Sequence, residues 1–181
     1  VGSIYFIYGV GADGVLNIAY NEETGRYDSL TRSMDEIIAS GNMVLDGSDV
    51  ANAKAFIDNS EVTPRYLVEL TLGESGIAKF TEATGKASKY YNPSAYDPRS
   101  IIAIVYDGVV QSAPQVHSVI TGNQAVIEGQ DTLEEAQELA TTIRIGALPI
   151  ELEEIRSQIV GAKLGEKAID TSLLAGLIGF V

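Results

Sequence analysis

The chain has 181 residues, 45% of them hydrophobic, with 12 Lys+Arg against 25 Asp+Glu for a formal net charge of -13. That length carries one domain with a real core or two small lobes, and the hydrophobic content excludes a disordered chain. The acidic balance argues against a nucleic-acid partner, because phosphate binding needs a clustered basic surface. The absence of cysteine excludes a disulfide framework and a thiolate metal site without assigning a compartment.

Val1 is neither an initiating methionine nor part of a basic leader, so the chain reads as a segment of something longer. Residues 4–8, IYFIY, form an aromatic and β-branched run that predicts a strand buried on both faces or nearly so. Gly9, Gly11 and Gly14 then meet the spacing G-x-G-x-x-G of a dinucleotide fingerprint. The fingerprint requires a helix to open inside the glycine loop, whereas Val15, Leu16, Asn17, Ile18, Ala19 and Tyr20 read as a strand that ends in a turn at residues 21–25. The glycines are therefore read as a hinge or hairpin, with Arg26 and Tyr27 resuming the second arm. Ser33 and Glu36 make a capping box for a short helix carrying Met34, Ile37 and Ile38 and closed by Gly41. After a turn at Asp46-Gly47 and a cap at Ser48, Val50, Ala53 and Phe56 or Ile57 recur at helical spacing, which predicts a helix over residues 49–59.

Tyr66, Val68, Leu70 and Leu72 alternate with Leu67, Glu69 and Thr71, the pattern of an amphipathic strand over residues 65–72. Ile77, Phe80, Ala83 and Ala87 then follow a helical period, weakened in the middle by Gly85. Pro93 and Pro98 make residues 90–98 a loop, in which Tyr90, Tyr91 and Tyr96 form the densest aromatic patch. Such tyrosines either anchor the loop to its own core or contact an unfolded chain. Asp107-Gly108 between two β-branched runs predicts a tight hairpin.

Residues 132–146 predict a helix with both ends marked: Thr132 as the cap, Glu135 completing a capping box, and Gly146 as the stop. Leu133, Ala136, Leu139, Ala140 and Ile143 fall on one face of it. Leu148, Ile150 and Leu152 then alternate with Pro149 and Glu151, as in a half-buried strand. The uninterrupted apolar run over residues 173–181 is shorter than the ~20 residues that a spanning helix needs.

No catalytic constellation is present in the sequence. His117 is the only histidine and sits in a strand-like context, and the acid pairs Glu22-Glu23, Glu134-Glu135 and Glu153-Glu154 point apart as neighbours along an element. Gly161 and Gly165 have the spacing of a membrane packing motif but precede the apolar run, so they read as a turn.

From Thr132 to Gly179 the chain, with LATTIRIGALPIEL, VGAKLG and SLLAGLIG, resembles the SecD family of the bacterial Sec export machinery. Arg144, Gly146, Ala147, Leu148, Pro149, Val160, Gly161, Leu164 and Gly165 match that family's motifs, as do residues 175–179, while Ala162-Lys163 replace the usual proline and serine. The Asp46-Gly47 turn followed by Asp49, Val50 and Ala53, the ESGIAKF segment and the YDGVVQSAP hairpin are similar to further stretches of SecD, and the resemblance implies strands at residues 119–122 and 125–129.

Pattern alone implies an α+β fold of antiparallel sheets with helices on one face. The resemblance adds a head lobe inserted in a partial ferredoxin-like base, with residues 1–12 as a base strand pairing with the strand around Ile150. In that division residues 13–146 are the head, 147–165 a base strand and turn, and 166–181 the start of a truncated transmembrane helix. It implies a non-enzymatic role without cofactor or metal, on the extracytoplasmic side of the cell membrane. There the domain would engage unfolded preproteins beside SecF and the SecYEG channel, with the proton gradient used by membrane helices elsewhere. The glycines Gly9, Gly11 and Gly14 and the segment from Gly146 to Pro149 are the hinge candidates. Two other readings remain at this stage, a dinucleotide-dependent enzyme and the head of another proton-driven exporter. Whether residues 15–20 form a strand or a helix decides the first.

Overall fold

A computed structural model describes residues 2–149. Its elements in chain order are β1 (Ile4–Tyr8), β2 (Ile18–Asn21), β3 (Arg26–Leu30), α1 (Met34–Ala39), β4 (Met43–Asp46), β5 (Val50–Asp58) and β6 (Arg65–Leu72), followed by α2 (Glu74–Ala87), β7 (Ile102–Tyr106), β8 (Val109–Ser112), β9 (Gln124–Gln130) and α3 (Leu133–Ala147). The strands form a four-stranded sheet in the order β4-β1-β7-β8, a three-stranded sheet in the order β5-β6-β9, and the β2-β3 hairpin. All pairings are antiparallel, in keeping with the α+β expectation.

The sheet built on β1 is a central layer because its side chains are apolar on both faces. Ile4 and Phe6 of β1, with Ile102 and Ile104 of β7, enter one core. Ile7 of β1, with Ala103 and Val105 of β7, enters the other. Strict alternation in an extended chain sends neighbours to opposite faces, so an unbroken apolar run is what a strand covered twice requires. The larger core holds β6, α2 and α3, through Val68, Leu70, Phe80, Leu139 and Ile143. The smaller one is closed by the β2-β3 hairpin and the short α1, whose Ile37 is fully buried. At the β7-β8 turn Asp107 and Gly108 both adopt positive φ, 50° and 77°, as a two-residue hairpin demands.

Several expectations require correction. Residues 50–58 form strand β5, paired with β6 from Val50↔Leu72 to Asp58↔Arg65, and not a helix. A bulge between Val50 and Asn52 shifts the phase of the strand by one residue, so apolar positions three apart both reach the core. Thr132 does cap α3, accepting from the Glu135 N–H at 3.1 Å, but the Glu135 carboxylate reaches back to the Asp131 N–H at 2.8 Å, one residue beyond the box. Gly146 does not stop α3, which continues to Ala147. It is glycine because a Cβ there would stand 2.6 Å from Ile4 Cβ and 2.9 Å from Ile4 N. Residues 119–122 hold no strand; only Gln124–Gln130 does.

β1 is paired with β4 on one edge and β7 on the other, so it has no free edge for the expected pairing with a strand around Ile150; that segment, with Gly161, Leu164, Gly165 and the apolar run from Leu173, lies outside the described residues. Within them no helix is long and apolar enough to cross a membrane.

Candidate functional site

Residues 10–18 decide the fingerprint question. Val10 bridges Leu16 and the chain enters β2 at Ile18, so no helix opens inside the glycine loop. The loop is instead fastened to its surroundings. Asn17, fully buried, donates from Nδ2 to Tyr8 O at 2.8 Å and accepts from Arg32 Nε at 2.7 Å, and Arg32 pairs with Asp13 at 2.9 Å. Gly9 leaves no room for a Cβ against the Pro98 carbonyl. The dinucleotide reading therefore fails on geometry.

The three tyrosines separate. Tyr90 lies under the Arg99 guanidinium, 4.3 Å from the ring centroid, and Asp97 holds that guanidinium at 2.6 Å. Tyr91 packs on the exposed His117 ring with centroids 4.3 Å apart. Tyr96 donates its hydroxyl to Ala113 O at 3.1 Å and stacks on Tyr27 at 6.0 Å. Tyr91 and Tyr96 thus tie the loop to the body, Tyr90 closes the loop on itself, and of the three only Tyr96 also lines a cleft.

That cleft, about 400 Å³, opens between the two larger sheets. Phe6, Ile102 and Ile104 of the four-stranded sheet face Leu70, Ala125 and Ile127 of the three-stranded one, and Phe80 of α2 lies alongside. A second hollow adjoins it, sharing Tyr96, Pro114, Glu128 and Gly129. It is bounded by β3, β8, the end of β9 and α3, and its wall carries Asp28, Glu128, Glu135 and Glu138 against the single basic side chain of Arg26. Arg26 is already paired with Asp131 at 2.5 Å. An apolar trough thus continues into an acidic one.

Two amide atoms in this region are buried with no partner, Gln115 Nε2 in the first hollow and Gln130 Oε1 in the second. A buried donor or acceptor left unpaired costs roughly 1–3 kcal/mol, so each is a place where a bound group would be welcome. Neither glutamine was singled out by sequence, since a lone glutamine in a loop or strand carries no local signal.

The most buried charge lies elsewhere. Asp49, with 1% of its side chain exposed, accepts from Lys79 Nζ at 2.9 Å and 3.0 Å, from Ser75 Oγ at 2.8 Å and from Asp46 N–H at 3.1 Å. Burial pushes its carboxyl up, but these donors more than offset that and hold it below the ordinary carboxylate range. The cluster pins the start of β5 to the first turns of α2. Among the described residues no three His, Cys, Asp or Glu side chains converge as metal ligands would.

Residues 22–150 match the family described as SecDF, P1 head subdomain. The chain belongs to the SecDF P1 head family. Its relatives include the protein translocase subunit SecDF of Thermus thermophilus, 37% identical over 139 residues, which are 77% of this chain and 17% of that protein. The protein translocase subunit SecD of Acidaminococcus fermentans is likewise 37% identical over 139 residues, 77% of this chain and 30% of that protein. The chain thus spans less than a third of the length of these relatives. Among solved structures, the crystal structure of SecDF from Thermus, described as a translocon-associated membrane protein, is 29% identical with a TM-score of 0.51, over 82% of this chain and 20% of that one. The resemblance drawn from the GALP and hairpin motifs is therefore confirmed at the level of family, and the cleft is a feature of a P1 head.

Proposed function

We propose that this P1 head receives unfolded polypeptide emerging on the extracytoplasmic side of the cell membrane, as part of a Sec translocase subunit that assists preprotein export. In this reading the subunit works with SecF and the SecYEG channel, a membrane helix follows the head, and proton-driven chemistry belongs to membrane helices outside this chain. The division into head and base, and hinges at Gly9, Gly11, Gly14, Gly146 and Pro149, belong to the same reading. The observation that carries it is the apolar cleft of about 400 Å³ between the sheets, continuous with an acidic trough. Apolar lining with few directional polar groups suits a ligand of varied side chains, such as a chain not yet folded.

Site-specific photocrosslinking during export tests the proposal. A photoreactive residue at Tyr96, on the cleft, is expected to capture preprotein in transit, whereas one at Leu16, exposed on the hairpin side, is not. Capture at both positions alike, or at neither, would overturn the assignment of the cleft as the receiving surface.

A further inference from the structure

The three-stranded sheet has two outer edges, and the chain treats them differently. On β5 the outward N–H of Ala53 donates to the Asn52 side chain at 2.9 Å, and its outward carbonyl accepts from Arg144 Nη1 at 2.7 Å. That edge is covered at Ala53 by its own neighbours. On β9 the ladder can be followed from its first rung, where Leu72 N–H donates to Asn123 O at 2.7 Å. In an antiparallel pair the bonded rungs alternate, so Leu70↔Ala125 and Val68↔Ile127 are the next bonded pairs. The N–H and C=O groups of Gln124 and Val126 then point away from β6. β9 is the last strand of its sheet, and among the described residues neither of these two backbones has a partner.

This open edge runs along the apolar cleft, which residues 125–129 line. Val126 is 51% exposed there. The unpaired Gln115 Nε2 and Gln130 Oε1 lie in the same pair of hollows. An exposed edge with free backbone groups is a template for another strand, and proteins normally block it, as Asn52 and Arg144 do on the opposite side.

We propose that the cleft takes an extended polypeptide as an added strand on β9, through backbone hydrogen bonds to Gln124 and Val126, with preference for segments carrying Lys or Arg. Backbone pairing supplies affinity without a fixed sequence, the apolar cleft receives alternate side chains, and the acidic trough attracts basic residues beyond the cleft. This rests on the reading of the cleft as a polypeptide receptor and specifies how that receptor works.

The test uses the full 181-residue chain and a fluorescent peptide of alternating valine and threonine flanked by lysines, together with the same peptide N-methylated at alternate amides. N-methylation removes donors while keeping side chains and charge, so it is expected to weaken binding roughly tenfold or more. V126P removes the outward donor without touching a rung to β6 and is expected to weaken the unmethylated peptide by roughly three- to tenfold. Equal binding of the two peptides to the parent chain overturns strand addition and leaves the receptor reading intact. Binding of neither peptide overturns both. Because the peptide comparison is made on the unaltered chain, it decides the matter even if V126P does not fold.

Discussion

At the residue scale, glycines in two helices give opposite predictions from the same substitution. Replacing glycine by alanine inside a helix gains roughly 0.5–1 kcal/mol from backbone entropy if the new methyl group fits. At Gly85 of α2 the nearest atom to a Cβ would be Val119 Cγ2 at 3.9 Å, an ordinary contact. G85A should therefore raise the midpoint of urea unfolding. At Gly146 of α3 the methyl would meet the backbone nitrogen of Ile4 at 2.9 Å and its Cβ at 2.6 Å. Both belong to a central strand that cannot retreat, so overpacking outweighs the helix gain and G146A should lose about 1–3 kcal/mol. An unchanged midpoint for G146A would show that β1 and α3 are less tightly apposed than these distances say. The sequence marked Gly146 as special through its place in the GALP motif, but its reason, a close approach to a strand some 140 positions earlier, has no local signature.

At the element scale, the joint between β5 and α2 depends on a charge that cannot reach water. Lys79 is half exposed, so K79M does not cost what a fully buried pair would. It does leave the Asp49 carboxylate short of its strongest donor, for an expected loss of roughly 1–3 kcal/mol in denaturant unfolding. The sign of the acid response follows from two depressed carboxyls. Asp49 is held below its ordinary value, and Asp58 is lowered to about 2, mainly by Ser60 and then by Arg65. A carboxyl whose folded value lies below its unfolded one contributes stability that is fully present above the unfolded value and is lost as pH falls through the folded one. Unfolding midpoints should thus be level from neutrality down to about pH 5 and fall between roughly pH 4 and 2. D49N should begin from a lower plateau and show a shallower fall. A midpoint that rises on acidification would contradict the ion-pair account. Ser33 and Glu36 were legible as the cap of α1, because the residues that close such a box lie within one turn. β5 was not legible, because its three-residue apolar spacing suits a helix until β6 and a bulge are there to receive it.

At the scale of the whole molecule, the formal charge of -13 and the carboxylates of the second hollow make binding of a basic segment sensitive to salt. Raising ionic strength from about 0.01 M to 0.15 M shortens the screening length from roughly 30 Å to 8 Å. Affinity for the lysine-flanked peptide should fall across that range, while a peptide with serine in place of lysine should barely respond. Equal salt responses would remove the acidic trough from the account and leave the apolar cleft as the whole of the recognition. The tyrosine loop shows the limit of composition as a guide to such a surface. Of Tyr90, Tyr91 and Tyr96, only Tyr96 lines the cleft, and Phe6, Phe80 and Ile104, ordinary core residues by pattern, do as much to line it.

What the sequence by itself determined were the features that close within a few residues: the Asp107-Gly108 turn, the caps at Ser33 and Thr132, the double-faced strand at Ile4–Tyr8, and the motifs that carry the family. Each depends on backbone angles, neighbouring donors or side-chain period, quantities that the local chain sets alone. Only the tertiary structure decided that residues 50–58 would be a strand, that Gly146 would be a packing contact, and that two sheets would leave an open edge along a cleft. Those outcomes depend on which distant segment supplies the missing hydrogen bonds and fills the adjoining volume, and a one-dimensional pattern does not record that choice.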